Sequence, residues 1–583
     1  ASFSLIVLLL YIVALSYSMD GDWFVDDREE LAFVRKFTSI ADAFGSDAFG
    51  LFRPVKNCLF FLFSHLSDFG VRACRYIGLT IGVLSFFPVH WLFRRVFNSE
   101  WKAVLSASIW LLSPTLVSSA AWLSCANIQV MVAFAALAIV FHDKAWDDGS
   151  FRFSRIILAA AFLFLALVSY ECAVVVVPAL VLFDALLRSE RIRTRRAWMT
   201  YACYAATICL YLTFRHLASA KMALPGSWCH AERWQLSVSS PWFTIQHFTS
   251  WFWPFGRFAV IGNYNWGDVS RSNLVACAVA GLSVLTLAAL FRKRMPALSF
   301  FVFFALLGFA PVSNCLGLGN GPYGDYYLSL ASLGLAGGSV ELMGLLLRTK
   351  PKLRVPARLA VVLFLATRLC AVFESAQWAW LWAHPGKAFE TSVENFPSFV
   401  ANKVGLIRFV CVEGRYEEAL RLAQEIEKSI GSETTQTASI HLVRGIHSLL
   451  VLKDPRKALE EFDLCEGCKS LELTARRLDF YRGCVFEDLL GNEEEAIRLY
   501  ESCLEEEWNK ESAGCADRLA RIKAIRGDLP EAIKLWNMAK SVDPGNVSVL
   551  WNLSVAYQKA GDEARSADLR NLALMKIAEE KAR

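Results

Sequence analysis

Up to about Ala383 the chain is a succession of apolar runs near membrane-span length, broken by short polar segments. From about Lys387 the pattern changes, and apolar residues recur at three-to-four spacing in a charged background. The first pattern predicts membrane helices, because roughly 20 apolar residues cross a hydrocarbon core. The runs fall at about 2–17, 74–93, 102–119, 122–141, 154–170, 171–187, 198–216, 273–291, 297–313, 327–346 and 357–375. An all-α polytopic bundle of about eleven spans is expected over 1–383, with a long first loop at 18–73 and a separate helical domain over 387–583. Ser2 to Ser18 lacks the basic residues that open a signal peptide. It is read as a membrane helix in a chain whose natural start is missing.

Basic residues orient the spans, since short cytoplasmic loops hold an excess of lysine and arginine. Arg94, Arg95 and Lys102 follow the second run, and Arg188, Arg191, Arg193, Arg195 and Arg196 follow the sixth. Arg292, Lys293 and Arg294 follow the eighth; Lys350, Lys352, Arg354 and Arg358 follow the tenth. With eleven spans all four clusters share one side, which is then cytoplasmic. The loop after the fourth run casts no vote, because Asp143, Asp147 and Asp148 balance Lys144, Arg152 and Arg155. The opposite side receives the 18–73 loop, the 113–122 hinge, the 218–272 connection, the 314–326 loop and the tail. Ser239 to Val260 is aromatic and apolar but contains Pro241, His247, Pro254 and Arg257. It predicts a re-entrant or interfacial hairpin, because one more span would invert the later charge pattern.

The net charge of +5 is modest and lies in these loops, so it reports topology and not nucleic-acid binding. Seven of the sixteen cysteines lie in the apolar runs, where cysteine is a small hydrophobe. Cys465 and Cys468 form one CxxC without the second pair a zinc site needs. In an extracytoplasmic tail a disulfide among Cys465, Cys468, Cys484, Cys503 and Cys515 is the alternative.

The tail repeats itself. A glycine followed five residues later by alanine recurs at Gly414 and Ala419, Gly491 and Ala496, and Gly527 and Ala532. Gly561 and Ser566 are a weaker copy, and Lys453-Asp454-Pro455 before Ala458 fills the remaining slot. Asp543-Pro544 supplies an end-of-repeat break. The small residues lie about 34–39 apart, the tetratricopeptide period. About five repeats make a stacked α-solenoid, a form that binds peptide or protein, or else packs as a cap on the membrane half.

Ionisable residues near membrane spans are costly and mark candidate function. On the expected extracytoplasmic side stand Asp26 and Asp27, Arg53 before Pro54, Glu171, Arg215 and Asp325. They can meet at one water–lipid ledge. Each is also, singly, an ordinary helix-end charge among headgroups. Glu341, inside the tenth run, has no partner visible in the sequence. Were an isoprenoid-phosphate sugar to lie at that ledge, transfer would need a carboxylate to take the acceptor's proton and a cation for the departing phosphate. Asp26 or Asp27 suits the first role and Arg53 the second. Two adjacent carboxylates also suit a divalent metal, magnesium or manganese, and spacing leaves base and metal ligand open.

The order of these elements resembles the transmembrane and tetratricopeptide-repeat O-mannosyltransferase family, in the GT-C class of lipid-linked-sugar glycosyltransferases. Gly21 to Asp27 resembles that family's first-loop acidic motif, and Phe52-Arg53-Pro54-Val55 its Tyr-Arg-Pro-Leu step. Ser169-Tyr170-Glu171 stands where the family has Ser-Lys-Glu, and Gly324 to Gly334 resembles its AERYLYLPSxG stretch, with Asp325 in the acidic slot. Tyr170 departs from the family's lysine, Tyr326 from its arginine, and a histidine of its second membrane helix is absent. The resemblance implies a multi-pass enzyme of a bacterial inner membrane or endoplasmic reticulum. It would move a hexose such as mannose from a polyprenyl-phosphate donor to a protein or glycan hydroxyl, with the acidic pair as base and the repeats holding the acceptor. A non-catalytic membrane-anchored repeat scaffold is the alternative.

Overall fold

A computed structural model describes residues 2–66, 70–147, 151–218, 229–230, 232–260, 264–265, 269–315, 324–348, 353–430, 437–467, 475–504, 510–542 and 544–582. Asp148, Lys350, Lys352, Cys468 and Asp543 lie outside the described residues, as does the side chain of Asp325. The chain forms two compact units, Ala1–Asn402 and Lys403–Arg583.

In the first unit α1 (Ser2–Ser16) leads into the first loop, which is folded. It contains α2 (Val25–Val34), a 3-10 turn at Ile40–Phe44 and α3 (Pro54–Leu66). Leu31 and Val34 of α2 pack on Phe60 and Phe63 of α3, with Cys74 and Leu123 beneath. Next come α4 (Val71–Phe97), α5 (Glu100–Leu111), α6 (Pro114–Ala121), α7 (Ala126–Lys144), α8 (Phe153–Ser169), α9 (Val176–Leu187) and α10 (Arg195–Leu217). Then follow α11 (Arg233–Phe252), α12 (Arg271–Phe291), α13 (Pro296–Phe309), α14 (Ala331–Leu346), α15 (Arg354–Ala383) and α16 (Pro385–Asn395). Among the described residues the one β feature is a two-residue parallel pairing, Cys229–His230 with Tyr264–Asn265.

Apolar helices lie where the pattern predicts, but not all have full span length. By length and composition α4, Leu123–Lys144, α10, α12 and α15 suffice to cross a bilayer, and α5 with α6 would be a sixth only if the pair, bent by 55°, counts as one span. The apolar segments Phe3–Ser16, Phe153–Ser169, Pro296–Val312 and Ala331–Leu346 are shorter. The bend has a local cause. Pro114 opens α6, and Ser113 before it is held extended at ψ 135°. All of α6 is buried within the protein, so the stretch read as a hinge is a packed helix. Burial also sorts the spans: the apolar window of Leu123–Lys144 is 78% buried and that of α12 only 11%. The first is packed inside the bundle, and the second turns its apolar surface outward.

One end of this unit is an arginine–aspartate lattice. Asp143, at the end of α7, accepts from Arg95 at 2.6 Å, Arg191 at 2.7 Å and Arg188 at 3.3 Å. The basic clusters after the second and sixth runs therefore meet, and Asp143 and Asp147 sit among them as counter-ions. Glu341 finds its partner on α5, where the Lys102 ammonium lies 2.6 Å away.

The Ser239–Val260 stretch turns back on itself after α11. Ser240 donates to Ser313 at 3.1 Å, beside the end of α13, and His247 lies 4.8 Å from the Phe309 ring, further in. α11 stops against the middle of α15, where Arg368 donates to the Trp251 carbonyl at 2.5 Å and lies over its ring at 4.7 Å. The chain then returns along α15. Phe258 packs on Trp378 and Trp382, and the Val260 N–H donates to Ser392 at 3.0 Å. Along α15, Arg368 stands about 22 Å below Ala383 at the helical rise of 1.5 Å per residue. Among the described residues no carboxylate pairs with it. The carbonyls and negative dipole end of α11 take that place.

The tail is five helix pairs: α17 (Val400–Val412) with α18 (Tyr416–Ile430), α19 (Thr437–His447) with α20 (Pro455–Gly467), α21 (Ala475–Asp488) with α22 (Glu493–Leu504), α23 (Lys510–Ile525) with α24 (Leu529–Val542), and α25 (Val547–Lys559) with α26 (Glu563–Ala582). The turn glycines serve one purpose. Gly414, Gly491, Gly527 and Gly561 have φ of 76°, 65°, 87° and 84°, which glycine adopts without strain. In the copy without glycine, Lys453 takes the same left-handed conformation at φ 54°. Ala419, Ala458, Ala496, Ala532 and Ser566 are all buried, letting paired helices approach closely. Cys465, Cys484, Cys503 and Cys515 are all buried as small core residues, and Cys484 and Cys503 are free thiols, which overturns the disulfide expectation for those two.

Candidate active site

Asp26 and Asp27 occupy the first turn of α2, where the helix dipole favours negative charge. The turn holds its place through a close approach. The Asp22 N–H donates to the Ala383 carbonyl at 2.8 Å, and a Cβ on Gly21 would stand 2.1 Å from that oxygen. Buried Arg75 of α4 ties the same strand down, donating to the carbonyls of Ser18 and Asp22.

The two aspartates have different surroundings. Asp27 is fully buried: one carboxylate oxygen accepts the Ser124 N–H at 2.8 Å and hydroxyl at 2.7 Å, and the other accepts the Phe24 N–H at 3.1 Å. Burial raises its pKa, and the Ser124 and Phe24 bonds offset only part of the rise. Asp26 is partly exposed and has no hydrogen bond among the described residues. Burial first, then the Glu29 carboxylate, with Asp27 and Glu30 behind it, pushes its pKa up to about 7 against the opposing pull of Lys56. A metal does not suit this pair. Asp27 spends both oxygens on Ser124 and Phe24, and among the described residues no three His, Cys, Asp or Glu side chains converge as a metal site.

Arg53 precedes Pro54, which opens α3 as prolines commonly do. Its guanidinium meets Glu171 edge to edge, Nε to Oε2 at 3.0 Å and Nη2 to Oε1 at 2.7 Å, and stacks on the Tyr170 ring at 4.4 Å. Arg215 lies buried beside them, donates to the Tyr211 hydroxyl at 3.1 Å and acts electrostatically on Glu171. Burial pulls the Arg53 pKa down, but Glu171 more than reverses this, and Arg53 stays charged.

Between the aspartates and Arg53 lies a buried ionic group. Lys56 of α3 pairs with Glu30 of α2 and lies 3.1 Å from Asp47, all three essentially without solvent exposure. The Cys125 thiol is within electrostatic reach of Asp26, Asp27, Lys56 and Arg53. Tyr326 is within electrostatic reach of Tyr170 and Cys125, and its ring lies 5.5 Å from Trp122. Trp122 in turn stacks on Trp382 at 4.7 Å, and both touch Phe24, two residues before Asp26.

Of the residues picked from sequence, Arg53, Glu171 and Arg215 come together, with Asp26 and Asp27 adjoining through Cys125 and Lys56. Asp325 opens the 3-10 turn Asp325–Leu328, whose Tyr326 reaches this group. Glu30, Asp47, Lys56, Ser124 and Tyr170 were not foreseen as members. Lys56, a lysine inside an apolar helix, and Ser124, Asn127 and Gln129 in an otherwise apolar run, were the available signals.

Residues 54–218 match the profile of the family described as dolichyl-phosphate-mannose-protein mannosyltransferase. The match covers a little over a quarter of the chain, including Lys56, Ser124, Tyr170, Glu171 and Arg215, and begins just after Arg53. That family is one of GT-C glycosyltransferases, and the matched segment is of glycosyltransferase type. No curated protein matches the chain. Among solved structures, MamA is 15% identical over 30% of this chain and 98% of its own, with a TM-score of 0.22. YrrB, titled a TPR protein with an unusual peptide-binding site, is 15% identical over 33% of this chain and 93% of its own, at 0.21. The Cut9–Hcn1 tetramer of the APC/C is 12% identical over 89% and 93%, at 0.27. At such TM-scores the repeat architecture rests on the chain's own helix pairs and turns.

Proposed function

We propose that this chain is a multi-pass membrane glycosyltransferase that moves a sugar, a hexose such as mannose, from a polyprenyl-phosphate donor to a protein or glycan hydroxyl on the extracytoplasmic side. Asp26 is the base. Its carboxylate takes the acceptor's proton as the acceptor oxygen bonds to the anomeric carbon and the bond from that carbon to the phosphate oxygen breaks. Arg53 and Arg215 receive the departing polyprenyl phosphate, and Glu171 with Tyr170 holds the Arg53 plane in place. The donor's tail stays in lipid, the repeats bind acceptor or partner, and Asp325 contributes from the turn before α14.

The observation that carries this reading is the separation of the acidic pair. One carboxyl is consumed by structure, while its neighbour stays partly exposed and free of hydrogen bonds among the described residues, with a proton affinity set near neutrality. The test is sugar transfer by purified protein given labelled polyprenyl-phosphate mannose. Loss of transfer in Asp26→Asn at full folding supports the assignment; undiminished transfer removes it.

A scaffold reading has one observation in its favour: Glu171 already occupies the guanidinium edge that a phosphate would use. If the chain is a scaffold, wild type transfers no sugar, and partner capture by the repeats is indifferent to Asp26→Asn and Arg53→Ala.

A further inference from the structure

Asp26 and Glu30 stand one turn apart on α2, and Arg53 and Lys56 one turn apart at the start of α3. The Glu30–Lys56 pair joins the two helices one turn below the residues at their tips. Lys56 is fully engaged there, by Glu30, by Asp47 at 3.1 Å and by the Phe49 ring at 5.0 Å. The charges acting on Asp26 are unequal: Glu29, Asp27 and Glu30 come from its own helix, and Lys56 from α3 is the one cation among them. From the Leu123–Cys125 turn the Cys125 thiol is within electrostatic reach of Asp26, and Arg75 of α4, hydrogen-bonded to the Ser18 and Asp22 carbonyls, acts on Asp27.

We propose that Lys56 is a positioning residue for Asp26: it fixes the register of the two helix tips that present Asp26 and Arg53, and its buried charge keeps Asp26 able to accept a proton. The inference rests on the transferase reading for its purpose but not for its measurement. Three carboxylates beside Asp26 favour its neutral form, and one nearby ammonium opposes them. Pairing with both Glu30 and Asp47 keeps Lys56 charged in spite of its burial, so the opposing charge is permanent.

The test uses the full chain in lipid nanodiscs. Carbodiimide coupling of an amine to Asp26 requires the protonated carboxyl, and mass spectrometry across pH 5–9 gives its midpoint. Lys56→Met is expected to move that midpoint up by about one unit, the usual effect of losing a close opposite charge. Glu30→Gln is expected to move it down, and Lys56→Arg to leave it near wild type. The acid limb of the transfer rate should follow the same shifts. A purely structural lysine would lower the rate at every pH and leave all midpoints alone, and that result overturns the proposal. Should Lys56→Met fail to fold, the Glu30→Gln and Lys56→Arg arms decide. Opposed midpoint shifts in a protein without transfer activity would sink the transferase reading and keep this one. Active protein with unmoved midpoints would do the reverse.

Discussion

Replacing Asp27 by asparagine keeps the shape of the side chain but points an amide N–H₂ at donors that need an oxygen, the Ser124 N–H and hydroxyl or the Phe24 N–H. A loss of about 1–3 kcal/mol is expected, seen as a lower melting temperature, with transfer falling only as the folded fraction falls. Asp26→Asn should do the opposite: an unchanged melting temperature and a transfer rate down by about 10²–10⁴. The pH dependence follows from the raised pKa near 7. Below it the carboxyl is protonated and cannot accept, so the rate climbs as pH rises through about 7 and levels above. Sequence named both aspartates as candidates but had no means to divide them. What separates them is Ser124, 97 residues away in the chain. Tyr170, by contrast, was seen only as a missing lysine, and its use as a platform under Arg53 was invisible without coordinates.

Helices and their junctions were legible in proportion to how local their causes are. The repeat turns were readable because each needs one residue of positive φ at a fixed place. The copy that breaks the rule gives a prediction: Lys453→Gly relieves a side chain at φ 54° and should stabilise the chain by up to about 1 kcal/mol, whereas Gly491→Ala should cost about 1 kcal/mol. Thermal unfolding reads both. A turn back within Ser239–Val260 was expected from charge order alone, but its anchor was not, because Arg368 lies 117 residues beyond Trp251. Arg368→Met leaves the last carbonyls of α11 without their cation. Faster hydrogen exchange over Trp251–Val260 is expected, with α12 unaffected; equal exchange in both would refute the anchor. That the first loop is folded was not legible, since the three charges buried inside it look, one at a time, like solvent-facing residues.

At the scale of the whole molecule, the division into an apolar helical bundle and a helical repeat follows from a change of hydrophobic period. The contact between the second- and sixth-run arginines through Asp143 puts those two basic clusters at the same end of the bundle. We expect single cysteines at exposed Ser39 and Ser541 to react with an impermeant maleimide from outside the membrane, in a background stripped of native cysteines, and one at exposed Ser189 only after permeabilisation. Reaction of the Ser541 probe with Ser189 would place the repeats on the cytoplasmic face. The account stands most directly on one comparison, transfer from labelled polyprenyl-phosphate mannose to the proteins of the chain's own membrane by wild type, Asp26→Asn and Asp27→Asn at equal folded amounts. It predicts transfer by wild type and Asp27→Asn and almost none by Asp26→Asn; equal transfer by all three, or none by any, contradicts it.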